Sequence, residues 1–188
     1  MCLVVAVWNA DSGFVVSEGR RSRALPSGKL VPVADDVFKI WQLADDLILG
    51  WTGNTEVTAA VRSSLEKEPA NFKHLHDVVI PREMTRIAAQ YAFAKVSVLL
   101  LGNDDGKVRC AGWGSKMPDP AVSVEPRESV NTLVLGLSAQ QDANLEVSQL
   151  IDSGMPKPEA VEQIVRDLAK RYTDLNGNTK VLGVSNGK

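Results

Sequence analysis

The spacing of apolar residues changes period several times along the chain, and each change predicts an element. Residues 2–8 and 13–18, CLVVAVW and GFVVSE, are short apolar runs rich in β-branched residues. The turn formers NADSG join them, which predicts a hairpin. The next stretch, GRRSRALPSGKLVPVADD, is polar and broken by Gly and Pro, so it predicts a loop with at most a short strand near 30–33. VFKIWQL and LILGWTG predict two strands around an acidic turn at 44–46. From Asn54, a fitting N-cap, the period becomes helical: Val57, Val61 and Leu65 fall at i, i+4 and i+8, and Pro69 lies beyond the end.

A second helix is predicted near 83–95 from Met84, Ile87, Ala88 and Tyr91. KVSVLLLGNDDGKVRCAGWG then has the pattern of a hairpin turning at NDDG. In its second strand Cys110 shares a face with Val108, which points to packing. The Pro- and charge-rich stretch 114–130 reads as loop, and NTLVLGLS as a strand. Two helices follow, one marked by Ala143, Val147, Leu150 and Ile151, the other by Val161, Ile164, Val165, Leu168 and Tyr172. KVLGV is the last strand. Strands apolar on both faces, with helices segregated in pairs, predict an α+β fold: a four-layer αββα sandwich of two mostly antiparallel sheets between helix pairs. With no convincing linker or internal repeat, residues 1–188 read as a single domain.

Composition narrows function by exclusion. The 188 residues are 44% hydrophobic and 23% charged with a formal charge of −2, which offers no basic field for nucleic acid or an anionic membrane. No run is long enough to span a bilayer, and the opening run lacks the features of a signal peptide. Two cysteines make no disulfide framework, so a cytoplasmic setting with free thiols is expected. His74 and His76 read as part of a solvated turn rather than metal ligands. No Gly-rich phosphate loop is present, and no cofactor is implied.

Cys2 is the candidate nucleophile. Buried in a strand it is simply a small hydrophobe. If Met1 is removed, the same residue carries a thiol and a free α-amine on adjacent carbons. That amine has a reference pKa of about 7.7–8, against about 10.4 for a lysine, so it can serve as a base near neutrality.

The stretch FKIWQLADDLILGWTGNTEVTAAV resembles the proteasome β-subunit family, members of the N-terminal-nucleophile hydrolase superfamily. There a Lys-Ile or Lys-Val opens one strand, an acidic turn follows, and the next strand ends in small-x-Gly before a helix. GFVVSEGRR is similar to the family's GVVLAADSR, and the LLLGNDDGKV hairpin and TDLNGNTKVLGV ending also fit in order. The resemblance implies that Cys2 takes the place usually held by Thr and that Lys39 is the cation lowering its pKa. It implies that the N–H of Gly53 faces the oxyanion, and that Asp174 and Ser138 support the nucleophile. It also places Trp51, with Trp41 nearby, at the pocket for the side chain before the scissile bond, leaving room only for a small residue or closing the pocket. The family's acidic partner of the lysine falls at Glu18 or, with a one-residue slip, at Gly19, and Asn176 stands where a supporting Ser is usual.

What this implies is a peptidase or amidase that matures by loss of Met1, through an aminopeptidase, and assembles into a homo-oligomeric ring. A separate ATPase unfoldase is a possible partner. Two alternatives stay open on the sequence: a catalytically inactive ring subunit, and a Cys acylase of small amides. Lys39 could also be a solvated strand-edge lysine, Asp174 a helix-ending turn residue, and both tryptophans core aromatics.

Overall fold

The computed structural model describes residues 3–24, 27, 30–91, 95–115, 117–124, 129–136 and 139–186, with backbone alone at 23–24, 30 and 117–124. The opening apolar runs form β1 (Val4–Trp8) and β2 (Ser12–Glu18), antiparallel with Val5 opposite Val16. Their turn is fixed by Asn9, whose Oδ1 accepts from the backbone N–H groups of Asp11 and Ser12 at 2.9 Å each. Next come β3 (Arg21–Ala24) and β4 (Leu30–Ala34), then β5 (Ile40–Ala44) and β6 (Leu47–Gly53). Helix α1 (Thr55–Leu65) follows, and α2 (Phe72–His74) continues through a π turn at Leu75–Val79 into α3 (Ile80–Gln90). The chain returns as β7 (Val96–Asp104), β8 (Lys107–Gly114), β9 (Met117–Val124) and β10 (Asn131–Leu135). Helices α4 (Gln140–Ile151) and α5 (Pro158–Arg171) precede the last strand, β11 (Thr179–Ser185).

Two antiparallel sheets result, ordered β10-β1-β2-β11 and β5-β6-β7-β8-β9, with β3 and β4 as a separate ribbon. Period-2 alternation sends each strand's side chains to two different cores. Val4, Ala6, Trp8 and Val15 meet Ile40, Ile48, Leu99, Leu101 and Cys110 between the sheets. From the opposite face of the first sheet, Val5, Val7 and Val16 pack on Val147, Val161, Val165 and Leu168 of α4 and α5. From the far face of the second, Leu47, Leu49, Trp51 and Val98 pack on Val57, Val61, Ile80, Met84 and Ile87 of α1 and α3. Each fully buried Val or Leu contributes about 1.5–3 kcal/mol by leaving water. The architecture is the four-layer αββα sandwich expected from the pattern. Among the described residues, no helix is long and apolar enough to cross a membrane.

The helix caps follow the sequence closely. Asn54 Oδ1 accepts from Glu56 N and Val57 N, at 2.9 and 3.2 Å, and opens α1. Asp105 and Gly106, with φ of 52° and 77°, make the tight turn between β7 and β8.

Three local expectations are corrected. Residues 117–124 are not loop but an edge strand, where Pro118 and Pro120 are tolerated because one side of the strand needs no ladder donors. The stretch after Arg20 contains the β3–β4 ribbon, again hidden by its Gly and Pro content. The second long helix begins at Ile80 and ends at Gln90, and it buries Ile80, Met84 and Ile87 while Tyr91 is exposed. His74 and His76 consequently lie on the helical path and not in a solvated turn. The ring of His76 sits 5.6 Å from Phe72 and 5.4 Å from Trp113, and His74 Nε2 lies 3.2 Å from Glu68 Oε2. No cluster of metal-ligating side chains occurs among the described residues.

Candidate active site

Lys39 stands at the entrance to β5, where the two sheets come together. Its backbone N–H donates to Ser17 Oγ of β2 at 3.0 Å, and its carbonyl accepts from Trp51 N of β6 at 3.0 Å. Anchored to both sheets, the residue is only 4% exposed, so it is no solvated edge lysine. The ammonium lies 3.1 Å from Glu18 Oε1 and also donates to the carbonyls of Glu18, at 3.3 Å, and Arg20. Three acceptors use the three N–H donors of an ammonium, which fixes its position.

Glu18 is fully buried. Burial pushes its carboxyl above the ordinary glutamate value, while the adjacent Lys39 ammonium and the Arg20 backbone N–H, 2.6 Å from Oε2, work in the opposite direction. Between Glu18 and Gly19, the geometry puts Glu18 against Lys39. Gly19 serves close approach instead, since a Cβ there would lie 2.7 Å from the Asp35 carbonyl oxygen.

The chain start is tied to the same place: Leu3 is fully buried and its carbonyl accepts from Glu18 N at 3.1 Å. Cys2 and Ser138 themselves lie outside the described residues. Gly53 ends β6 with φ of 109°, and a Cβ there would fall 1.9 Å from the Lys95 carbonyl oxygen, so no other residue fits without a backbone shift. It lines a cleft of about 500 Å³ with Arg21, Ser22, Val33 and the first residues of α1.

Lys39 and Trp51 are directly opposed across β5 and β6, so their side chains share one face. Trp41, two residues along β5, lies on that face too, and its ring stacks on Trp51 with centroids 3.3 Å apart and planes at 15°. The Arg62 guanidinium lies 4.2 Å from the centroid of the Trp41 ring. A cavity of about 390 Å³ lies beside the indole pair, walled by Trp41, Trp51, Val37, Phe38 and Ala59.

Asp174 lies in the segment between α5 and β11; the Arg20 guanidinium is raised above its ordinary value chiefly by its hydrogen bond to Asp35, and the Asp174 charge adds in the same direction. Asn176 is occupied elsewhere: its Nδ2 donates to the Asp35 carbonyl at 2.7 Å and its Oδ1 accepts from Asn178 N at 3.1 Å. Arg20 and Asp35, which link these pieces, were not singled out by sequence reasoning. The partners of their side chains are 15 or more residues away in sequence, so no local period marks them. Cys110 is the packing cysteine expected, buried between the sheets with its thiol pushed far above the ordinary value by desolvation.

No protein-family model matches the sequence, and no curated protein matches it either. The structure, in contrast, has clear likenesses. HslV from Trypanosoma brucei superposes with a TM-score of 0.73 at 14% identity, over 97% of this chain and 99% of that one. Anbu, an ancestral β-subunit from Yersinia bercovieri, gives a TM-score of 0.73 at 11% identity, over 97% of this chain and 81% of that one. The chain therefore shares its four-layer αββα fold with these two proteins.

Proposed function

We propose that this protein is a proteasome-like N-terminal-nucleophile hydrolase that cleaves peptide or other amide bonds, with Cys2 as its nucleophile once Met1 is removed. The observation that carries the reading is the buried Glu18–Lys39 pair, held beside Leu3, one peptide unit from Cys2. A buried, fully hydrogen-bonded lysine costs several kcal/mol to desolvate, so its presence beside the chain start needs a use. Against the inert-subunit alternative, the Glu18 carboxylate 3.1 Å from Lys39 Nζ supports Glu18 as the acidic partner that the sequence left ambiguous.

In this mechanism the α-amine of Cys2 accepts the thiol proton, and the sulfur attacks the amide carbonyl carbon. Lys39 acts as a fixed positive charge that favours the thiolate; with its donors committed to Glu18 and Arg20, it does not carry the proton. The tetrahedral oxyanion faces the N–H of Gly53. Collapse breaks the C–N bond, the leaving amine takes the proton from the α-ammonium, and a thioester remains. Water, giving its proton to the same amine, then releases the acid and restores the thiol. Asp174 and Ser138 would orient the amine, and the cavity beside Trp41 and Trp51 would take the side chain before the scissile bond. The whole chain acts as one domain, and copies self-associate in a closed ring with sites facing inward. A separate ATPase as partner and a cytoplasmic setting complete the reading.

The test is the intact mass of the untagged protein, followed by turnover of fluorogenic peptide amides and a small acyl amide. A mass short by one methionine, with hydrolysis abolished in Cys2→Ala, is the expected result. Retention of Met1 together with no turnover would overturn the enzyme reading. Activity confined to the small amide would select the acylase form of it.

A further inference from the structure

Asp35 connects two parts of the site that the sequence keeps far apart. Its carboxylate receives the Arg20 guanidinium through Nε at 2.7 Å and Nη2 at 3.2 Å. Its carbonyl oxygen receives Asn176 Nδ2 at 2.7 Å and Asn178 Nδ2 at 3.0 Å. Arg20 extends the link in both directions. Its Nη1 donates to the Thr173 carbonyl at 2.8 Å, while its own backbone touches both members of the buried pair: the N–H meets Glu18 Oε2 at 2.6 Å and the carbonyl accepts from Lys39 Nζ. Val37 N donates to Gly19 O at 2.8 Å, closing the same seam two residues before Lys39.

The geometry points to Asp35 as a positioning residue. It clamps the 173–178 segment, which carries Asp174, to the Arg20 backbone that holds Glu18 and Lys39, and so sets the reactivity of Cys2 through Lys39. Asp35 is itself half exposed, at 51% of its side chain, and its hydrogen bonds go to Arg20, Asn176 and Asn178, so it acts through these groups and not on substrate. This inference rests on the proposed nucleophile role of Cys2.

The sign of the effect separates a clamp from a simple charge. Removing a nearby anion favours a thiolate, so through-space loss of Asp35 alone would lower the Cys2 thiol pKa and speed its alkylation. Loss of the clamp lets Lys39 move off its post, which raises that pKa and slows alkylation. The experiment is the pH profile of iodoacetamide alkylation of Cys2, followed by peptide mass in the full chain for wild type, Asp35→Ala, Asp35→Asn and Lys39→Ala. Melting curves verify folding, and Asp35→Glu serves as the conservative rescue.

The expected result is slower alkylation at neutral pH in Asp35→Ala and Asp35→Asn by about two- to thirtyfold, the range of coupling carried by contiguous side-chain networks. The profile shifts to higher pH, a larger shift appears in Lys39→Ala, and Asp35→Glu recovers part of the rate. Unchanged or faster alkylation in the two Asp35 variants, with Lys39→Ala slowed, would overturn the clamp and leave the nucleophile reading standing. An unshifted Lys39→Ala would overturn both, because Asp35 would then have no lysine to act through.

Discussion

Cys110 and Lys39 are both buried in the same five-stranded layer or at its edge, and their surroundings make opposite use of burial. Around Cys110 the inter-sheet core is a hydrophobic cluster, and desolvation pushes the thiol up, which keeps it inert. Around Lys39 burial comes with a carboxylate and two backbone carbonyls, aimed at the ammonium from one turn of chain at 18–20. Burial without partners quenches chemistry; burial with a full set of partners holds a charge in a fixed place. The difference lies in geometry, since both residues sit in stretches of similar apolar pattern.

The comparison can be broken most directly at Glu18. Glu18→Ala leaves the Lys39 ammonium buried with no counter-charge, and about 3–5 kcal/mol of stability should be lost, read as a fall in urea midpoint. Replacing both members with apolar residues of similar size, Glu18→Leu with Lys39→Met, should recover most of that loss without recovering hydrolysis. If Glu18→Ala were neutral, the pair would not be the closed, desolvated unit described above.

Gly53→Ala comes next. Its Cβ would meet the Lys95 carbonyl oxygen at 1.9 Å on a backbone with φ of 109°, so about 1–3 kcal/mol of strain is expected, together with lost turnover as β6 shifts at the cleft. A variant of wild-type stability and activity would show that this strand end is not held as described.

The cysteine itself gives a sharper readout of the comparison. In native protein at pH 8, Cys110 should escape iodoacetamide over a period in which Cys2 is fully modified, and should react once urea unfolds the chain. Rapid native labelling of Cys110 would mean that the inter-sheet core opens readily.

The smallest effect is at Asp35. The Arg20 hydrogen bonds hold its carboxyl below the ordinary aspartate value of 3.8, so its contribution to stability is present above pH 3.8 and is lost as pH falls through the lowered folded value. Asp35→Asn should flatten that part of the acid limb when urea midpoints are followed from pH 5 to 2. An unaltered acid limb would show that the surface pair is too well screened to count.

Much of the fold was legible because period and capping are local. The switch from strands to α1 at Asn54, the α4 and α5 stripes, the turn at Asp105–Gly106 and the doubly buried strands all follow from residues within a few positions of one another. Strand β9 was not legible, because an edge strand with two prolines is defined by its neighbour β8 and not by its own composition. Of the candidate site, Lys39 and Gly53 were recognisable from flanking motifs. Glu18 was ambiguous by one residue until its carboxylate was seen to face Lys39.

The sequence by itself determined most of the elements, the layered sandwich and the identity of the residues able to do chemistry, since those depend on side-chain type and short-range spacing. Only the tertiary structure decided which of them meet. Arg20 and Asp35 are tied to the 173–178 segment by hydrogen bonds that span 141 to 153 residues of chain, and bonds of that reach are set by how the layers close on each other. No one-dimensional period carries that information, because the closing contacts are polar, few and specific to one arrangement of the layers.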